Sequence, residues 1–102
     1  MIEFEWDTAK AKSNERKHRV VFEDAMLIFD DPYVVSEQDR IVEGEQRWQS
    51  IGIVRGIHFL LVAHTSEAGE REGTERVRII SARKANRQER ARYEQNRTEN
   101  FG

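Results

Sequence analysis

Three consecutive segments rich in β-branched and aromatic residues constrain the fold of this chain most strongly. They cover residues 47–54, 57–65 and 76–82, and only Arg55-Gly56 separates the first two. A two-residue connection that ends in glycine is typical of a tight hairpin turn, and consecutive strands usually pair. The sequence therefore predicts an antiparallel meander of three strands.

Helical patterns precede this meander. Residues 7–17 are good helix formers that begin with Asp7, a suitable N-cap, and end in basic residues, which match the helix dipole. Residues 22–30 place four apolar side chains at helical spacing, and Pro32 ends that pattern. Two N-terminal helices are therefore predicted.

Polar segments connect the predicted elements. Residues 33–36 predict a short strand, and the polar residues 37–45 predict a loop. Residues 66–75 contain two glycines and four acids, so we expect an exposed hairpin connection between the last two strands.

A last helix is predicted over residues 86–97, because Asn86 and Glu89 have the spacing of a capping box. Its apolar stripe is thin, since Ala91 and Tyr93 are nearly all of it, so this helix either docks weakly or meets a partner. We expect the Tyr93 ring to pack on the sheet while its hydroxyl stays in water.

Length and pattern together bound the class of protein. The 102 residues fit a single domain, residues 1–102, of α+β class, with two N-terminal helices, an antiparallel sheet of three to four strands and a C-terminal helix. The chain has no cysteine, which excludes disulfides and thiolate metal sites. An acidic N-terminus argues against a signal peptide, and no window approaches the ~20 apolar residues of a membrane span. A cytoplasmic protein without membrane contact is expected.

Charge is distributed unevenly along the chain, whose formal net charge is −2. Residues 1–50 contain seven basic and twelve acidic residues, whereas residues 51–102 contain ten and seven. Between Arg76 and Arg97, eight basic residues stand against two acids. This concentration predicts an anionic partner, either a phosphate backbone or an acidic protein.

An ordered set of short motifs runs nearly from one end of the chain to the other. It comprises Phe4-Glu5-Trp6-Asp7, Lys10, Asn14, Lys17-His18, Val21-Phe22, Ala25, Phe29-Asp30-Asp31-Pro32, Arg47, Ile51-Gly52, Val62-Ala63-His64-Thr65, Arg78-Ile79-Ile80-Ser81-Ala82-Arg83-Lys84-Ala85, Glu89-Arg90 and Tyr93. In this order the motifs resemble those of the BrnT-type toxins, small ribonuclease toxins of type II toxin–antitoxin systems. The chain departs from that pattern at residues 66–75, where a tighter connection is expected.

The resemblance implies a RelE-like fold and an RNA-cleaving toxin that arrests growth. It also implies a cognate BrnA-type antitoxin, which neutralises the toxin in a hetero-oligomer and carries the DNA-binding segment. Contact with DNA would then be indirect, through the antitoxin.

Cleavage of RNA without a metal needs a base for the 2′-hydroxyl proton, cations for the phosphorane and an acid for the leaving oxygen. His64 ends a predicted strand, and an imidazole with a pKa of about 6.5 suits either proton-transfer role. His64 could instead be a strand-end histidine that hydrogen-bonds a backbone carbonyl. Since no metal-ligand cluster, phosphate-binding glycine loop or nucleophile motif is present, neither metal nor cofactor is expected.

Arg78, Arg83 and Lys84 are the cations predicted to act in catalysis. Strand alternation predicts that Arg78 shares a sheet face with Ile80 and not with Ser81. Arg83 and Lys84 follow at the corner between strand and helix, where an arginine can clamp a phosphate through two parallel hydrogen bonds. A solvated surface or a contact with the antitoxin are the alternatives for these residues.

RNA binding is predicted for two further sets of cations. Lys10, Asn14 and Lys17 lie on one helix face, which contacts RNA, organises the helix against the sheet or is simply solvated. Arg87 and Arg90 of the last helix would steer RNA or remain solvated.

A non-catalytic binding module is the alternative function. Its basic C-terminal patch would bind an antitoxin or a nucleic acid without cleaving it. Direct DNA recognition is a third hypothesis, but the sequence shows no helix-turn-helix pattern, so operator recognition is expected to come from the antitoxin.

Overall fold

The structure is a computed structural model that describes residues 1–101, with side chains to residue 100. Its strands and α-helices follow in the order β1 (Ile2–Glu5), α1 (Thr8–His18), α2 (Phe22–Ala25), β2 (Val35–Val42), β3 (Glu45–Val54), β4 (His58–His64), β5 (Glu67–Ala68), β6 (Glu75–Lys84) and α3 (Arg87–Phe101). A 3-10 helix, Met26–Asp30, continues directly from α2. None of the helices in residues 1–101 is long and apolar enough to cross a membrane.

The strands form one sheet in the spatial order β1-β6-β4-β3-β2, and β5 also pairs with β6. β1 runs parallel to β6, whereas the other pairs are antiparallel. The α+β class and the central meander are therefore confirmed. The prediction of a purely antiparallel sheet of three to four strands is wrong, because the sheet is mixed and residues 1–101 contribute six strands to it.

The missed strands lack the usual signals for a strand. β1 has four residues, and its pairing depends on a partner more than seventy positions away in the sequence. β2 is an edge strand whose residues are exposed except at its two ends, so no alternation of apolar and polar residues marks it. The predicted loop at residues 37–45 is thus mostly strand, and β5 lies inside the predicted connection at residues 66–75.

α1 and α3 lie where the sequence predicts helices, whereas the predicted helix at residues 22–30 is α-helical only over Phe22–Ala25 and continues as the 3-10 helix. The Asp7 side chain accepts a hydrogen bond from the Lys10 backbone N–H at 3.0 Å, which caps α1. In α3, the Asn86 side chain accepts from the Glu89 N–H and the Glu89 carboxylate accepts from the Asn86 N–H, both at 2.8 Å. This reciprocal pair confirms the capping box. Arg19 ends α1 in the left-handed region, with φ 58°.

Helical segments pack on both sides of the sheet. α1, α2 and the 3-10 helix lie on one side, which we call the helical face, over the buried residues Leu60, Val62 and Ile79. Gly52 lets the 3-10 helix approach β3 closely, since a Cβ at residue 52 would lie 2.8 Å from the Cβ of Ile28. The opposite side is partly covered by α3.

Asn14 connects α1 to the sheet. Its side chain is 6% exposed, donates to the carbonyls of Val20 and Ala82, each at 2.9 Å, and accepts from the Ala82 N–H at 3.0 Å. These bonds occupy the free edge of β6 beyond the end of β1. Of the three roles considered for this helix face, Asn14 therefore organises α1 against the sheet.

Tyr93 anchors α3 on the other side. Its ring is 1% exposed and meets the Phe59 ring edge-on, with centroids 5.6 Å apart. Its hydroxyl donates to Asp31 Oδ2 at 2.6 Å, so the prediction that this hydroxyl stays in water is wrong. The same carboxylate also accepts from the backbone N–H groups of Tyr33 and Ile53. Asp31 thus links α3 to β3 and to the segment after the 3-10 helix.

Candidate functional site: an arginine-rich sheet face

A β-bulge in β6 decides which basic side chains share a surface. Ala63 of β4 pairs with Ser81, but the next residue, His64, pairs with Ile79, so Ile80 is an extra residue in β6. Arg78 and Arg83 are five positions apart and would face opposite sides in a regular strand. The extra residue places both on the side opposite the helical face. For the same reason Ser81 lies on the side of Arg78, so the prediction that Arg78 and Ser81 face opposite sides is wrong.

Five arginines lie on this side of the sheet, and together we call them the arginine face. Four come from the strands and one from α3, and their side chains are between 22% and 39% exposed. Each is paired with a glutamate. The pairs are Arg47–Glu45 (3.3 Å), Arg76–Glu67 (3.1 Å), Arg78–Glu45 (2.6 Å), Arg83–Glu89 (2.8 Å) and Arg92–Glu37 (2.7 Å).

Glu45 lies between two of these arginines. Arg78 donates to both of its carboxylate oxygens, at 2.6 and 3.3 Å, and Arg47 Nε lies 3.3 Å from Oε1. The hydrogen bond from Arg78 lowers the pKa of Glu45 below its usual value. The carboxyl group is therefore ionised at neutral pH, and it is a weaker base while Arg78 is bound to it.

Arg83 is oriented by α3. Its two terminal nitrogens donate to the two carboxylate oxygens of Glu89 at 2.8 and 2.9 Å, a bidentate geometry. Hydrogen bonding between the two groups raises the pKa of Arg83 and lowers the pKa of Glu89. Because Glu89 also caps α3, the capping box fixes the position of the Arg83 guanidinium.

Two guanidinium nitrogens on this face, Arg47 Nε and Arg92 Nε, are buried and make no hydrogen bond within the described part of the chain. Arg47 Nε nevertheless lies 3.3 Å from Glu45 Oε1, an ion pair without the alignment of a hydrogen bond. A buried N–H without an acceptor is uncommon and costs free energy.

His64 lies on the helical face and not with these arginines. It is 3% exposed, and its ring meets the Phe29 ring edge-on. Nδ1 lies 2.9 Å from the Thr65 carbonyl, which only accepts, so Nδ1 carries the proton and Nε2 accepts from Ser50 Oγ at 2.7 Å. The Oγ of Ser50 in turn lies 2.6 Å from the Oγ of Ser36, which is an exposed residue. The structure thus matches the alternative of a histidine bonded to a backbone carbonyl, and burial lowers the pKa of His64.

Lys84 is also separate from the arginine face. It follows Arg83 directly, so strand alternation turns it to the helical face, near the turn between β3 and β4. Of the four predicted catalytic residues, the structure therefore brings together Arg78 and Arg83 only.

The residues predicted to bind RNA lie at two places. Lys10 and Lys17 are exposed and line a shallow pocket of about 180 Å³ between α1 and the bulge of β6. Arg90 stacks its guanidinium over the Phe59 ring, 4.4 Å from the centroid, and Arg87 is exposed at the start of α3. None of these four side chains is ion-paired within residues 1–100.

Sequence reasoning missed Glu45 and Arg47 as members of the site. Glu45 fell inside the segment predicted to be a loop, and its partner Arg78 is 33 positions away. Arg47 belongs to the motif set but was given no role. For metal binding, the described residues contain no group of three or more histidine, aspartate or glutamate side chains that could hold an ion.

Comparison with known proteins gives three findings. The model of a family described as "Ribonuclease toxin, BrnT, of type II toxin-antitoxin system" matches residues 6–89. No curated protein matches the chain. The crystal structure of the Brucella abortus ribonuclease toxin, BrnT, is similar in fold, with a TM-score of 0.58 and 20% sequence identity, over 85% of this chain and 100% of that chain.

Proposed function

Because this chain belongs to the family of BrnT ribonuclease toxins of type II toxin–antitoxin systems, we propose that it cleaves RNA on the arginine face, without a metal ion. We further propose that a BrnA-type antitoxin neutralises it, and that the fold is related to RelE toxins. The observation that carries the proposal is the bulge at Ile80, which places Arg78 and Arg83 on one open surface.

Arg78 and Arg83 would bind phosphates of the RNA strand, and Arg78, which lies beside Glu45, would bind the scissile one. Each guanidinium is a fork of N–H donors that matches two phosphate oxygens, and such contacts stabilise the added negative charge of the phosphorane. Both are bound to carboxylates in the free protein. Ion pairs exposed to solvent are weak because water screens them, so a polyanionic strand can displace them.

Glu45 would accept the proton of the attacking 2′-hydroxyl. It is the ionised carboxylate nearest to Arg78, and a phosphate that takes Arg78 away from Glu45 makes the carboxylate more basic. The 2′-oxygen then forms a bond to phosphorus, the bond to the 5′-oxygen breaks, and that oxygen takes a proton from water. His64 and Lys84, the other two predicted catalytic residues, lie on the helical face, so they would not contact an RNA strand bound to the arginine face.

Incubation of the purified chain with end-labelled RNA, in EDTA and without ribosomes, tests this proposal. We expect cleavage by the unmodified protein and a loss of about 10²–10³-fold in rate for Arg78→Ala and Arg83→Ala, as for other groups that stabilise a transition-state anion. Arg71→Ala is the matched control, because Arg71 is an exposed arginine in the β5–β6 connection. Thermal unfolding of each variant reports whether it is folded.

One observation favours the alternative, a binding module without catalysis. Every arginine of the arginine face already has a glutamate partner, which suits a surface that exchanges ion pairs with another protein. In that case the unmodified chain binds the antitoxin but leaves RNA intact, and Arg83→Ala changes only the affinity for the antitoxin. Equal cleavage by all four proteins would instead refute the assignment to the arginine face.

A further inference from the structure

A second basic site lies at the other end of the sheet, near the turn between β3 and β4. We call it the turn-end pocket; its volume is about 270 Å³. Residues of the connection between α1 and α2, of α2, β3, β4 and β6, and of the turn meet there. The charged or titratable residues in its wall are Arg19, Asp24, Arg55, His58 and Lys84.

The floor of this pocket is part of the hydrophobic core. Val20, Val54 and Leu60 line it, and they are 6%, 2% and 4% exposed. Core side chains are close-packed and held in single rotamers. The pocket therefore has a rigid apolar base below a charged rim, as ligand sites usually do.

The rim carries unpaired positive charge. Asp24 is paired with Arg55 at 3.2 Å. The side chains of Arg19 and Lys84 make neither an ion pair nor a hydrogen bond within the described residues, which distinguishes them from every member of the arginine face. With one acid and three permanent cations, the pocket has a net charge of about two positive units at neutral pH.

Local structure fixes the backbone conformation of two of these residues. Arg19 and Arg55 have φ values of 58° and 56°, in the left-handed region that favours glycine. Only one other non-glycine residue in residues 1–101, Glu43, has a positive φ. Arg19 ends α1 and Arg55 lies in the turn between β3 and β4, so helix termination and turn geometry account for both conformations.

We propose that the turn-end pocket binds a phosphate group. Arg19 and Lys84 supply charge-assisted hydrogen bonds, and Arg55 and His58 complete the rim. The phosphate can belong to an RNA strand or be a free anion. If the phosphate belongs to RNA, this inference rests on the proposed function. Arg83 and Lys84 are consecutive residues that face opposite sides of β6, so one RNA strand that passes the end of β6 can contact both.

Two probes separate these sources: inorganic phosphate, and a short single-stranded RNA with 2′-O-methyl groups, which binds but cannot be cleaved by 2′-hydroxyl attack. Each is titrated into the full chain while backbone amide resonances are followed by NMR. We expect the largest shifts at the residues of the turn-end pocket.

Arg19→Gly is the decisive variant. It removes the cation and, at φ 58°, relieves backbone strain, so a loss of binding cannot be ascribed to unfolding. We expect the dissociation constant to rise about tenfold or more for Arg19→Gly and for Lys84→Gln, as for the loss of a charged hydrogen bond. Arg71→Gln, with the same loss of charge outside the pocket, is expected to change it less than about twofold.

If RNA binds tightly and inorganic phosphate binds weakly, the phosphate group recognised by the pocket belongs to an RNA backbone. If both probes cause equal shifts, the pocket recognises a free anion. Shifts confined to the arginine face, or unchanged affinity in Arg19→Gly, overturn the proposal. Because neither probe is cleaved, a chain without ribonuclease activity can still show phosphate binding here. Failure of the proposed function and failure of this inference are therefore distinguishable.

Discussion

Replacing Asn14 with alanine is expected to lower the free energy of unfolding by about 2–3 kcal/mol. The change removes three hydrogen bonds, to the Val20 carbonyl and to both backbone groups of Ala82. Each is worth about 1 kcal/mol, and alanine returns up to about 0.7 kcal/mol through its higher helix propensity. For a domain of this size, that loss corresponds to a fall in Tm of about 10–20 °C.

Urea and thermal unfolding followed by circular dichroism measure this loss. Ser13→Ala is the matched control, since Ser13 is the exposed neighbour on the same helix and is expected to change stability by less than about 0.5 kcal/mol. Asn14→Asp has the same shape but replaces the two donated bonds with repulsion between oxygens, so its loss should exceed that of alanine at pH 7. A loss below about 1 kcal/mol for Asn14→Ala would refute the reasoning.

Three other changes have expected outcomes. Burial lowers the pKa of His64 in the folded state, so as pH falls below about 6.5 the unfolded chain binds a proton before the folded protein does. The free energy of unfolding should therefore decline from that pH down to the folded-state pKa. Urea unfolding at a series of pH values should show no such decline for His64→Gln and the full decline for the exposed control His58→Gln. Tyr93→Phe removes the bond to the Asp31 carboxylate and should cost about 1.5–3 kcal/mol in chemical unfolding, with an unchanged m-value; a neutral result would mean that Asp31 is satisfied without the hydroxyl. Gly52→Ala places a methyl group 2.8 Å from the Ile28 Cβ and should destabilise by about 1–3 kcal/mol, and an unchanged Tm would contradict this close packing.

Local signals in the sequence predict local structure well in this chain. Asp7, Asn86 and Glu89 act within three residues of themselves, and each forms the cap that its chemistry and spacing predict. The hairpin between β3 and β4 follows from the same kind of short-range geometry, and Gly56 has a φ of 72°. Its connection covers residues 55–57, one residue more than the predicted Arg55-Gly56 turn. The family was identified from motifs in their order along the chain.

The composition of the site could not be predicted in this way. Whether Arg78 and Arg83 share a face depends on one extra residue in β6, and that bulge exists only because β4 and β6 pair in a particular register. The strand β1 likewise depends on a distant partner. Short-range propensities do not encode such register, since a shift of one residue reverses every side chain beyond it.

The sequence by itself determined the helices and their caps, the central meander, the concentration of basic charge and the family. Tertiary structure alone decided that His64 is buried, that Arg78 and Arg83 share a face, and that Glu45 meets Arg78 across 33 positions. The physical reason is range: caps and turns are satisfied by neighbouring residues, whereas burial and charge pairing depend on which strands and helices come together.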